Sequence, residues 1–204
     1  MRVYLLDMNM LSTINRKEEI TDQTVLVTDA EAEQIKEALK HDCKFKLVDG
    51  NLVSSEPRPS EYHDFDTEKW QWVLNKERFD VYLTEKRKEL WEAVKTKREK
   101  ILTSGVFVKS LNKWFHTDSV SQLSYTRAKE YFDIKHDGEI QWKTMDNSFV
   151  TLDKDKLNDV VITIFENSQK IYKIAEQHRH RIENSVDLDN YDINSDWTET
   201  YKGR

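Results

Sequence analysis

The chain has 204 residues, 37% hydrophobic and 34% charged, with a formal net charge of −6. This length can bury a core as one or two small units, and the acidic balance speaks against nucleic acid or an anionic membrane surface as the main partner. The single cysteine, Cys43, rules out an intrachain disulfide and a thiolate metal cage, and no apolar run is long enough for a membrane span or a signal peptide. Gly50, Gly105, Gly138 and Gly203 are far apart, so neither a P-loop nor a dinucleotide fingerprint can be drawn.

The first segment, residues 1 to 66, reads as a small mixed α/β domain. Strands are expected at VYLL and TVLVT, followed by a helix that Thr28 opens, with Glu31 three positions on as the partner of a capping box. In KFKLVDGNLVSS, Asp49 and Gly50 supply the positive-φ pair of a tight hairpin turn. EPRPSEYH carries both prolines and reads as an extended linker. Residues 67 to 102 follow as a strand bearing Trp70 and Trp72 on one face, then a long charged helix from Lys76 to about Leu102, with Asn75 as its cap. The apolar positions of that helix, Phe79, Leu83, Leu90, Val94 and Ile101, form a thin stripe suited to packing on its own domain or to docking a partner helix.

Residues 103 to 204 contain the stretch WFHTDSVSQL, in which His116, Asp118 and Ser119 offer the inventory of a serine hydrolase. Aligning GVFVKSLNKWFHTDSVSQL with EIQWKTMDNSFVTLDKDKL at an offset of 34 yields two successive strand–turn–strand–helix units. Ser119 then falls opposite Asp153, both at a helix start, and His116 falls opposite Val150. The expectation is a helix N-cap at Ser119, completed by Gln122, rather than catalysis. In the second helix Leu157, Val161, Ile164, Ser168, Ile171, Ala175, His178 and Ile182 step by four and three along one seam. His178 is expected as a hydrogen-bonded core residue, and His178 with His180 cannot grip one metal ion, because two helical positions lie about 200° apart. The acidic tail SVDLDNYDINSDWTETYKGR has a composition that is usually disordered when free. Its aromatic residues imply that it folds back over the core or is held by a partner.

The run KREKILTSGVFVKSLNKWFHTDSVSQ, then WKTMDNSFVTLDKDKL, a long helix and DINSDW resembles an uncharacterised domain at the C-terminus of many phage tail proteins, especially tail-fibre assembly proteins. Gly105, Val106, Phe115, Thr117, Asp118, Ser121 and Gln122 carry the first half of the resemblance. Trp142, Thr144, Asp146, Asn147, Phe149, Leu152 and Trp197 carry the second. The front third is similar to tail-fibre assembly chaperones in a looser way. The resemblance implies a chaperone that binds the distal end of a trimeric tail fibre in the host cytoplasm and assists its folding or trimerisation. The alternative is a permanent component retained on the virion tail, such as a fibre adaptor or baseplate decoration.

The sequence therefore leads to an α+β protein: a small N-terminal α/β domain, a charged connecting helix, and a C-terminal pair of ββα units ending in a long helix. No enzymatic activity, cofactor or metal is expected, and no nucleic-acid or membrane partner. Trp70, Trp72, Tyr191, Trp197 and Tyr201 are candidate partner-binding residues, because tryptophan and tyrosine often anchor interfaces. Self-association through the long helices is a further possibility.

Overall fold

The structure, a computed structural model, describes residues 1–16 and 20–203. It is α+β, and the chain divides into two compact units, Met1–Tyr82 and Leu83–Arg204. In the first unit, β1 (Arg2–Leu5) is the central strand of an antiparallel sheet, flanked by β2 (Met10–Thr13) and β3 (Thr24–Leu26). The sequence reading lacked β2, whose MLST has only a short alternation to reveal it. Helix α1 (Asp29–Leu39) opens at Thr28 with the full capping box: Thr28 Oγ1 accepts from Glu31 N, and Glu31 Oε2 accepts from Thr28 N at 2.8 Å. Its buried Ile35 joins Tyr4, Cys43 and Phe45 in a small core, with the Tyr4 and Phe45 rings edge to face at 5.0 Å.

Strands β4 (Phe45–Val48) and β5 (Asn51–Ser54) form the Asp49-Gly50 hairpin, and both turn residues have positive φ, as a two-residue turn matching strand twist requires. Residues 55–60 have no regular structure. Next, DFDTEKWQWV is a hairpin rather than one strand: β6 (His63–Asp66) pairs with β7 (Gln71–Leu74). Asp66 accepts from the backbone N–H groups of Glu68 and Lys69, which fixes the turn. Trp70 lies in that turn at φ +54°, whereas Trp72 lies on β7, so the expectation that both sit on one strand is corrected. They still converge, because Phe65 on β6 meets both rings edge on, at 4.9 and 5.0 Å.

Helix α2 (Lys76–Leu102) starts where expected, with Asn75 Oδ1 accepting from Arg78 N at 3.1 Å. In the second unit Leu83, Val94 and Ile101 of its stripe are buried. Two ββα units follow. The first is β8 (Val106–Val108), β9 (Lys113–Phe115) and α3 (Ser119–Lys135); the second is β10 (Ile140–Lys143), β11 (Phe149–Leu152) and α4 (Lys154–Asn184). Their shared core includes Val108, Phe115, Phe132, Leu152, Leu157 and Val160, each at most 1% exposed.

The hairpins interlock. Met145 N donates to Trp114 O at 3.0 Å, and Lys113 reaches Asp146 at 2.7 Å. Gly105 has φ +92°, which favours glycine, and a Cβ there would also push aside the end of the Met145 side chain, 2.2 Å away. The N-cap of α3 is Asp118, not Ser119. Its carboxylate accepts from Ser121 N at 3.0 Å and Ser121 Oγ at 2.7 Å, while Gln122 donates to Thr117 O instead of completing a box. The ungapped alignment is one residue off at this point because the hairpin 140–152 is longer than 106–115, while residues 116 and 117 separate β9 from its cap and Asp153 follows β11 directly. Asp153 is the corresponding cap of α4, accepting from Lys156 N at 2.8 Å.

Candidate functional site

Asp118 spends both carboxylate oxygens on Ser121, and these bonds hold its carboxyl below the usual range. Ser119 is an exposed first-turn residue, and the backbone carbonyl of His116 takes the Tyr125 hydroxyl at 3.0 Å. The three residues are thus a helix start and do not form a nucleophile–base–acid chain. His178 is fully buried. Its Nε2 donates to Ser195 O at 3.1 Å and its Nδ1 is hydrogen-bonded to the Tyr191 hydroxyl at 2.8 Å, while that hydroxyl also lies 3.3 Å from the His178 carbonyl. Trp197 stacks on the same imidazole at 5.2 Å. His180 is exposed beside Asn184, away from these contacts.

His178 is therefore where the acidic tail is fastened: of the two alternatives for the tail, the structure has it folded back. Leu188 is buried, Arg87 donates to the carbonyls of Ile182 and Ser185 where α4 ends, and Arg181 pairs with Asp196 at 2.6 Å. Farther along, Tyr201 N donates to Ser104 O at 3.4 Å, and the Tyr201 ring lies 5.8 Å from Trp114. Between the last turns of α2, Trp114 and this returning tail lies an open groove of about 1180 Å³. Lys97 and Lys100 line it on the helix side; Ile193, Trp197 and Tyr201 line it on the tail side.

Two of the five expected binding residues, Trp197 and Tyr201, thus meet at one groove, joined by Trp114. Tyr191 instead belongs to the His178 fastening. Trp70 and Trp72 lie in the first unit, with the Lys46 ammonium 4.5 Å above Trp70 and the Arg58 guanidinium 5.5 Å from Trp72. Trp72 Nε1 donates to Glu56 O at 2.9 Å, so this ring pair is partly committed to holding the proline segment against the hairpin.

A second surface escaped the sequence reading. Helix α3 buries Tyr125 and Phe132 on one face, yet Val120, Leu123, Tyr131 and Ile134 are exposed on the opposite face, Val120 at 76% and Ile134 at 78%. These four positions step by three, eight and three, so they form two apolar pairs on one helix face, with Arg127 and Glu130 between them. Apolar residues on two opposite faces were the available signal. Leu123 also borders a groove of about 650 Å³ between α3 and α4, where it is accompanied by Phe165, 63% exposed.

The protein is α+β, and its second unit exposes apolar and aromatic side chains on α3, on α4 and at the groove. Residues 85–196, more than half of the chain, match the family described as a domain of unknown function (DUF4376), and the chain belongs to that family. No curated protein and no solved structure matches it. The residues of the family-like motif have structural duties: Gly105 makes room for Met145, Thr117 accepts from Gly105 N at 2.9 Å, and Asp118 caps α3. Trp142 stacks on Tyr125 at 4.6 Å, and Thr144 is buried against Asp146 and Ser148. Most of the motif builds the interlocked hairpins, while its Trp197 stacks on His178 and borders the groove.

Proposed function

We propose that this protein is a phage tail-fibre assembly chaperone that binds the distal end of a trimeric fibre and assists its folding or trimerisation. The resemblance carried by the second unit supplies the fibre as partner. The observation that supports a chaperone's mode of action is the exposed stripe of α3 continued by Phe165 on α4. A fibre chain awaiting its two partners exposes apolar surface and unpaired strand edges. A stripe of this kind, rimmed by charged side chains, shields such surface in a chaperone that stays soluble through its own net charge.

The test is co-expression with the fibre. The fibre made alone is expected to be insoluble or untrimerised, and this chain restores it. The double variant Leu123→Asp, Ile134→Asp should keep its stability within about 0.5 kcal/mol, as exposed positions do, yet lose the rescue. Soluble trimeric fibre made equally well without the protein sinks the reading. Recovery of the protein in purified virions at a fixed ratio to the fibre then favours the structural-component alternative.

A further inference from the structure

We infer that the groove between α2 and the returning tail is a binding site for an extended acidic peptide segment with interspersed apolar side chains. It is a different surface from the outer stripe of α3, and the argument for it stands without the fibre. Three lysines, Lys97, Lys100 and Lys202, line the groove, against a single lining carboxylate, Glu199. Lys97 is hydrogen-bonded to the uncharged amide of Asn194, and neither Lys100 nor Lys202 has an ion-pair partner among the described residues. In a protein of net charge −6, whose other lysines so often face a carboxylate, three cations left without one form a local positive field around a concave wall. The apolar part of the lining comes from Ile101, Trp114, Ile193, Trp197 and Tyr201, so charge alone does not describe the ligand.

The tail wall indicates a peptide rather than another polyanion. Residues 197–203 run without regular structure, and Tyr201 N to Ser104 O is the one backbone–backbone hydrogen bond of this stretch among the described residues. A main chain whose donors and acceptors are mostly not spent on other backbone is a surface with which a second main chain can pair. In the same wall Thr198 and Thr200 add further polar residues beside the main chain.

The experiment uses the full chain and a fluorescein-labelled ten-residue peptide of alternating aspartate and leucine, followed by fluorescence anisotropy. Binding should saturate and weaken with added salt, and the counterpart of alternating lysine and leucine should bind at least about tenfold more weakly. The double variant K100E/K202E removes no described ion pair, so its melting temperature should be unchanged while affinity for the acidic peptide falls at least about tenfold. Failure of the acidic peptide to saturate, equal binding of the basic counterpart, or full affinity in K100E/K202E overturns the inference. Tighter binding of a sulfated octasaccharide that displaces the peptide overturns it too, in favour of a saccharide site. No fibre enters this titration, so its failure leaves the co-expression result untouched, and the reverse holds.

Discussion

The two ββα units share a plan and differ in what happens to the helix. Both hairpins feed a helix capped by an aspartate, Asp118 in one and Asp153 in the other, and both helices bury one face in the common core. Helix α4 runs for 31 residues, and past the ββα core the tail covers it, with Leu188 buried and His178, Tyr191 and Trp197 locked together. Helix α3 runs for 17 residues, ends at His136 in the left-handed conformation, and keeps Val120, Leu123 and Ile134 in solvent. One topology thus serves two purposes. The second copy has the far half of its helix covered by the tail and exposes Ile162 and Phe165 near its start, whereas the first leaves its outer face open along its length.

This contrast is broken most directly by deleting side chains from the two faces. Leu188→Ala should cost about 2–5 kcal/mol, the range for emptying a well-packed leucine site, because Leu188 is 1% exposed where the tail closes. Leu123→Ala, 51% exposed on α3, should stay within about 0.5 kcal/mol. Urea unfolding of both variants checks the pair; equal losses would mean that α3's outer face is packed and the tail is not.

The caps offer a smaller contrast. Asp118→Ala should cost about 1 kcal/mol, as N-cap deletions do, while Ser119→Ala, one residue inside the helix, should be close to neutral. The opposite order would return the cap to Ser119.

The smallest expected effect is on pH dependence. The Ser121 hydroxyl and N–H lower the Asp118 carboxyl, and the Lys156 N–H and ammonium lower that of Asp153. A carboxyl whose native value lies below its unfolded value of about 4 adds stability that is complete above that value and is lost as pH falls through the native one. Thermal melts should therefore be flat between neutral pH and about 5 and decline below about 4. Asp118→Asn, which keeps one capping oxygen without the charge, should be less stable than the parent at neutral pH and decline less steeply in acid, so that the two converge there. An identical acid limb in the variant would remove Asp118 from the account.

Much of this architecture was legible because it is written in local chemistry. Thr28 with Glu31, Asp49 with Gly50, and Asn75 before a charged run each fix a helix start or a turn within four residues. The seam of α4 was legible for the same reason, being a repeat of three and four. The Ser119 expectation failed because an ungapped alignment carries no information on hairpin loop length, and because Asp118 competes for the same orphan N–H groups and wins. Trp70 was misplaced because alternation from Trp70 to Trp72 looks the same whether the first residue belongs to a strand or to the turn before it. Sequence periodicity finds a helix face but does not say whether the tertiary structure covers it, which is why the open face of α3 was missed. The direction of the tail was unreadable for a related reason: its partners, Arg87, His178 and Ser104, lie on elements that only the finished fold brings near it.

The groove at Trp114 is assembled from parts of the chain that lie far apart in sequence. Its walls come from the end of α2, from β9 and from the extended chain around Tyr201, and the Tyr201–Ser104 hydrogen bond spans 97 positions of sequence. A ligand of the peptide site inferred above would therefore meet its full surface only where α2, β9 and the tail have come together.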